Sequence, residues 1–155
     1  MSGQVAFAVR SIRFAFVFVV SVALAACTVS FVSSYDDVFD KSAADTQKKI
    51  TLLLTELQKP GSQARRYANS AKTYSDIGAD LHTLRVRAEA NNTDGKNADT
   101  LTILGTIQQN MVLLEDEHRR QPSGPSPDFV QLAQRQIDVQ FVSLIQFERA
   151  KKRGA

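Results

Sequence analysis

A glutamate and a histidine three residues apart, Glu115 and His118, are the side chains of this sequence best suited to metal chemistry. On a helix this spacing places a carboxylate and an imidazole on one face, and both bind transition metals. Di-iron bundles need two such pairs and two further glutamates. The other histidine, His82, has Ala79 three residues before it, where a glutamate is required. Glu115 and His118 also lie in the last turns of a predicted helix, where we expect charged side chains to face water. The sequence therefore predicts no metal site, with a metal-binding bundle as an alternative.

Haem binding and nucleophilic catalysis also lack a suitable set of residues. Met111 and His118 are seven residues apart on one predicted helix, so they cannot bind one iron from opposite sides. The sequence has no Gly-x-Ser-x-Gly turn and no glycine-rich phosphate loop. Asp36, Asp37 and Asp40 stand at the start of a predicted helix, where acidic residues are ordinary. We predict that the protein is not an enzyme and has neither catalytic residues nor a cofactor.

The single cysteine, Cys27, ends an apolar segment near the amino terminus. Arg10 and Arg13 precede an apolar run over residues 14–24, and two alanines stand directly before Cys27. The run is shorter than the roughly 20 residues that span a bilayer. Basic residues on one side of a short apolar run are typical of a cleaved signal peptide.

The stretch Leu24-Ala25-Ala26-Cys27 resembles the lipobox of bacterial lipoproteins. The resemblance implies that residues 1–26 are a removed signal peptide and that Cys27 is the lipid-attachment residue, joined to diacylglycerol and acylated with chains such as palmitate. Each buried methylene contributes about 0.8 kcal/mol, so two or three chains anchor a protein permanently. Thr28 stands where aspartate retains lipoproteins at the inner membrane, which implies the periplasmic face of the outer membrane.

An uncleaved membrane span from about residue 11 to residue 32 is the alternative. The segment after Cys27 continues with interrupted hydrophobicity, so the apolar stretch is long enough to cross a bilayer under this interpretation. The protein would then belong to the inner membrane. Both interpretations place residues 33–155 on one side of a membrane.

Charge gives no indication of a nucleic-acid partner. The chain has 19 basic and 16 acidic residues, and two of the basic ones precede Cys27. The remaining charges are nearly balanced and mostly interspersed. The basic tail over Lys151, Lys152 and Arg153 is expected to be a solvated helix end, with contact to anionic headgroups as the alternative.

Apolar residues recur every three or four positions in four segments, which predicts four amphipathic helices. We expect them over residues 34–59, 62–90, 98–120 and 127–152, with Ser33 or Ser34 and then Ser62 as the first two caps. Pro60-Gly61, residues 91–97 and the proline-rich residues 121–127 separate them. Gly78, inside the second helix, predicts either a close approach of a neighbouring helix or a bend.

These segments predict an all-α fold, an up-down-up-down antiparallel four-helix bundle. The domain organisation is then a signal peptide (1–26), an acylated tether (27–33) and a bundle domain (34–155). Two paired hairpins, or a three-helix bundle with the first helix as a stalk, are alternatives. We expect Tyr74 and Thr46 to share a hydrogen bond in a polar part of the core, or else to line a small-ligand pocket.

The sequence around the start of the first helix, residues 34–41, is similar to that of small helical lipoproteins of proteobacteria. This resemblance implies no activity. The predicted function is therefore a structural or interaction module of the cell envelope with a protein partner. Leu132, Val139 and Val142 lie beside the main apolar line of the fourth helix, and they would form a docking face if the fold leaves them exposed. A small-ligand or metal-binding bundle is the alternative function.

Overall fold

A computed structural model describes residues 36–92, 95 and 97–154 of the chain. Within these residues the protein is all-helical and has no strand. The four helices are α1 (Asp37–Gln58), α2 (Tyr67–Ala90), α3 (Ala98–Arg120) and α4 (Pro127–Gly154), and a 3-10 turn at Gln63–Arg65 lies between the first two. None of the helices in this part of the chain is long and apolar enough to cross a membrane. The predicted signal peptide, Cys27 and the tether lie outside the described residues.

The four helices form a helical bundle, as the sequence predicted. Helix α1 packs on α2 and α4, and α3 packs on the same two helices. Each helix contributes one stripe of buried apolar side chains to a shared core. The largest of the fully buried side chains are Phe141, Ile50, Leu54, Leu57, Ile77, Leu81, Leu84, Leu104, Ile107, Leu114, Ile137 and Leu144.

Helix α1 begins three residues later than predicted, because its cap is Asp36 and not one of the two serines before it. The Asp36 carboxylate accepts hydrogen bonds from the backbone N–H groups of Val38 (3.0 Å) and Phe39 (3.1 Å). A carboxylate at this position satisfies two otherwise unpaired donors and also favours the positive end of the helix.

Helix α2 also begins later than predicted, because Ser62 caps the short 3-10 turn instead. The Ser62 hydroxyl accepts from Ala64 N, and the α-helix starts only at Tyr67, after Arg66. By contrast, the predicted bounds of α3 and the predicted start of α4 at Pro127 are confirmed. Ser126 caps α4, and its Oγ accepts a hydrogen bond from Phe129 N at 3.3 Å.

The buried stripes follow the predicted periodicity, but several apolar residues that flank them are exposed. Val38 on α1 is 48% exposed, and Val112 and Leu113 on α3 are 50% and 55% exposed. Each helix of the bundle is covered on the side that faces its two neighbours, so an apolar side chain one position outside that arc meets solvent.

Of the two alternatives predicted at Gly78, a bend and the close approach of a neighbouring helix, the close approach is excluded. This glycine is on the exposed side of α2, and an added Cβ would meet no atom within 4 Å. Gly124, in the loop before α4, is the constrained glycine instead. Its φ is +85°, and an added Cβ would lie 2.7 Å from the backbone oxygen of Arg65.

We expect the two glycines to respond in opposite directions to alanine. Gly78→Ala should raise the free energy of unfolding by about 0.5–1 kcal/mol, because alanine loses less backbone entropy in a helix. Gly124→Ala should lower it by at least about 2 kcal/mol, because alanine strains a left-handed backbone and collides with Arg65. Chemical denaturation of both variants measures the two changes, and equal effects would contradict this account.

Candidate functional site

The candidate site is the solvent-facing side of α4. Three apolar side chains lie on it with roughly half of their surface exposed: Leu132 (48%), Val139 (61%) and Val142 (51%). They are spaced seven and three residues apart, so they share one line along the helix. The fold therefore leaves these three side chains exposed, as a docking face on α4 requires.

Polar and charged residues continue this line in both directions. The α4 outer face is the set of exposed residues at alternating spacings of four and three: Asp128, Leu132, Arg135, Val139, Val142, Gln146, Arg149 and Arg153. Val139 and Val142 are at its middle, Arg135 separates Val139 from Leu132, and both ends carry charge. An apolar strip flanked by polar residues is typical of a protein-binding surface.

An open groove of about 530 Å³ runs beside this face, between α3 and α4. Ile103 and Phe147 form its apolar part, and Gln140, Ser143 and Gln146 supply amide and hydroxyl groups. Another groove, of about 460 Å³, lies between α1 and α2 and includes the exposed Leu52. Lys49 and Asp80 form a salt bridge at this second groove.

A buried ion pair ties the end of α4 to the start of α3. Lys151 and Glu148 are 3% and 2% exposed, and the Lys151 ammonium donates to Glu148 Oε1 (2.5 Å), Asn97 Oδ1 (2.7 Å) and Thr100 Oγ1 (3.1 Å). All three ammonium donors are thus used. The Phe147 ring lies 5.1 Å from the same nitrogen. The expectation of a solvated tail is wrong for Lys151, because three acceptors replace its water.

Asn97 extends this network to α2, since its Nδ2 donates to the Ala88 backbone oxygen at 3.0 Å. A cavity of about 10 Å³ adjoins the cluster, between Lys151, Asn97 and Phe39. That volume is close to the minimum for one water molecule and too small for an organic ligand. The cluster is therefore a structural joint between helix ends.

A second buried polar cluster centres on His118 of α3, which is fully buried. Its Nε2 lies 3.0 Å from the Arg65 backbone oxygen and must donate, since a carbonyl only accepts. Its Nδ1, 3.1 Å from the Tyr74 hydroxyl, then accepts in the neutral ring. The expectation that His118 faces water is wrong, as is the predicted bond between Tyr74 and Thr46. The Thr46 hydroxyl donates to the Ser42 backbone oxygen instead.

Tyr67 closes the outer side of this cluster. Its ring lies edge-on to His118 with centroids 5.7 Å apart, and its hydroxyl donates to Glu115 Oε1 at 2.7 Å. The Arg119 guanidinium covers the Tyr67 ring at 5.0 Å and also donates to Glu115. Glu115 and His118 are therefore engaged in separate hydrogen bonds.

Burial changes the acidity of both buried groups in this cluster. Desolvation lowers the pKa of the His118 imidazole, because the positive form loses its water. Desolvation likewise raises the pKa of the Tyr74 hydroxyl, with the nearby Glu115 charge acting in the same direction. Both groups are thus held neutral near pH 7, which suits a hydrogen bond between uncharged partners.

At the opposite end of α2, Arg87 binds the Asp36 carboxylate, with Nη2 3.1 Å from Oδ1. Hydrogen bonding from Arg87 lowers the pKa of Asp36, and the cap bonds from Phe39 and Val38 add to the effect.

Among the described residues, no group of three or more His, Cys, Asp and Glu side chains is arranged to hold a metal ion. Cys27, the predicted lipid-attachment residue, lies outside the described part of the chain. Comparison with protein-family models, curated proteins and solved structures finds no match for this chain.

The neutral, buried His118 makes stability depend on pH. Its pKa is lower in the folded protein than the value of 6.5 in an unfolded chain, so the unfolded state binds more protons just below that pH. We expect the free energy of unfolding to fall as the pH decreases from 7.5 to 5. His118→Gln should flatten this dependence, whereas His82→Gln, at an exposed position of α2, should preserve it. Denaturation of the three proteins at both pH values tests this, and an unchanged slope in His118→Gln would contradict it.

We expect Lys151→Met to lower the free energy of unfolding by about 3–5 kcal/mol, because Glu148 is left buried without its countercharge. The double variant Lys151→Met/Glu148→Leu should recover most of the loss, since it removes both charges. Lys48→Met, at an exposed position of α1, should change stability by no more than about 0.5 kcal/mol. Thermal or urea unfolding distinguishes these outcomes, and a mild effect of the single Lys151 variant would show that the site is not dry.

Proposed function

We propose that this chain is a lipid-anchored interaction module of the bacterial cell envelope. In this proposal Cys27 carries the lipid after removal of residues 1–26, and the bundle domain faces the periplasm from the outer membrane. The α4 outer face then binds a protein partner. The observation that carries the proposal is the line of three half-exposed apolar side chains on α4, Leu132, Val139 and Val142.

Hydrophobic burial explains why this line favours association. Fully burying a valine or leucine side chain contributes about 1.5–3 kcal/mol, and roughly half of each of these three remains exposed. A partner helix that covers all three would therefore gain several kcal/mol before the losses of association. The charged ends of the face limit how such a helix is placed.

We also propose the up-down-up-down antiparallel arrangement for the bundle. Contacts between helices support it. Lys49 of α1 pairs with Asp80 of α2, near the middle of both helices, whereas Asp36 reaches Arg87. Gln58, at the end of α1, donates to Gln134 near the start of α4 at 2.7 Å. The start of α3 meets the end of α4 through the Lys151 cluster.

The anchor is tested by expressing the full chain beside Cys27→Ser. We expect the parent chain to fractionate with membranes, with a mature amino terminus at Cys27 and a mass increment of two or three acyl chains. The Cys27→Ser variant should carry no acyl chain and should retain residues 1–26. An unmodified parent chain that keeps these residues would support the uncleaved membrane span instead.

The docking face is tested with a photo-crosslinking residue at position 139 of the full chain in membranes. We expect a crosslinked protein product at this position, and its loss when Val142→Glu adds a charge to the same line. Position 112 on α3 is the matched control, because Val112 is also at least half exposed but lies on another helix. Equal products from positions 112 and 139 would contradict a specific face.

A further inference from the structure

The α4 outer face has the spacing of a coiled-coil seam. Its eight positions alternate by four and three residues from Asp128 to Arg153, and all eight side chains are exposed. This is the a and d pattern of a heptad repeat, which presents one straight line to a neighbouring helix. Within the described part of the bundle, none of the other three helices packs over it.

The chemistry of this line is complementary to itself when it is reversed. If a second copy lies antiparallel with the twofold axis midway between Val139 and Val142, each a position meets a d position, as helix packing requires. Val139 then meets Val142 of the second copy, and Asp128 meets Arg153 of the second copy. Between them, Gln146 meets Arg135 and the stem of Arg149 lies over Leu132.

The parallel arrangement of two copies is unfavourable. Each position would face its own counterpart, so Arg135, Arg149, Arg153 and Asp128 would each meet a like charge. Like charges directly opposite one another destabilise an interface, whereas the antiparallel register has none in its layers. The sequence of charges along α4 thus selects the direction as well as the partner.

We propose that the partner bound by the α4 outer face is a second copy of this chain, packed antiparallel so that the Val139 and Val142 layers are central. This inference rests on the proposed function, because it names the occupant of the same face. With three apolar residues in each copy, the buried area of the interface is at the small end of the range for specific interfaces. The association is therefore reversible. Confinement of both copies to one membrane raises their effective concentration.

The antiparallel register also orients the pair. Asp36 and Lys151 line the same small cavity, so the amino-terminal end of each bundle lies beside the end of its own α4. Helix α4 has 28 residues and is about 42 Å long. In the antiparallel register the Asp36 residues of the two copies therefore lie at opposite ends of the pair.

The decisive experiment is cysteine crosslinking between two differently tagged full-length chains in membranes. One chain carries Asp128→Cys and the other Arg153→Cys, and a disulfide between them is the expected product. Within one chain these positions are about 38 Å apart along α4, so an intrachain disulfide cannot form. Each variant paired with the parent chain controls for disulfides to Cys27.

The yield of the same disulfide measures how much the central contacts between Val139 and Val142 contribute to association. Val142→Glu in both chains should reduce the yield at least about tenfold, because it places charge against Val139 of the second copy. Val112→Glu should leave the yield unchanged, since Val112 has the same exposure but lies on α3. Thermal unfolding of both variants verifies that the fold is retained.

Four results would overturn the inference. Disulfides between two Asp128→Cys chains, without the mixed product, would mean a parallel pair. A mixed product that Val142→Glu does not reduce would mean random collision. No dimer, together with photo-crosslinking of a different protein at position 139, would reject the second copy as partner but keep the proposed function. The absence of both products would reject both proposals.

Discussion

The guanidinium of Arg65 holds together the two loops at one end of the bundle, and the packing at that end depends on it. It donates to the backbone oxygen of Leu57 in the last turn of α1, and to those of Ser123 (3.2 Å) and Pro125 (3.0 Å) in the loop between α3 and α4. Hydrogen bonds from a charged donor contribute about 1.5–3 kcal/mol each. The backbone oxygen of Arg65 in turn accepts from the buried His118. Gly124 is required beside it because a side chain would occupy the space of that oxygen.

The opposite end is joined by a different type of network. There the ammonium of Lys151 replaces its water with oxygens from Glu148, Asn97 and Thr100. Between the two ends the core is mainly apolar, and apolar stripes with a regular repeat could also pack after a shift of one turn. Buried polar groups penalise such shifts, because a shifted network leaves donors and acceptors unpaired. We therefore interpret the His118 and Lys151 clusters as the features that fix the alignment of the helices.

With both ends and the core so engaged, the outer side of α4 is a surface of the bundle whose side chains the fold does not use. Its valines and leucine add nothing to the core, and half-exposed apolar side chains in a line favour association. The charges at the two ends of the same line carry opposite signs, so an antiparallel second copy would place opposite charges against each other. The buried clusters, by contrast, have their polar groups satisfied, and the cavity beside Lys151 has room for about one water.

The sequence by itself determined the number of helices, the bounds of α3, the start of α4 and the buried stripe of each helix, because periodicity, prolines and caps act within a few residues of one another. It also identified Leu132, Val139 and Val142 as a conditional docking face. Only the tertiary structure decided that His118 and Lys151 are buried, that Tyr74 binds His118 rather than Thr46, and that Gly124 rather than Gly78 is constrained. Each of these depends on an atom from another helix or loop more than 40 residues away in the chain. Local spacing says which face of a helix is buried, but the partner of a polar side chain on that face is set by how the helices are placed against one another.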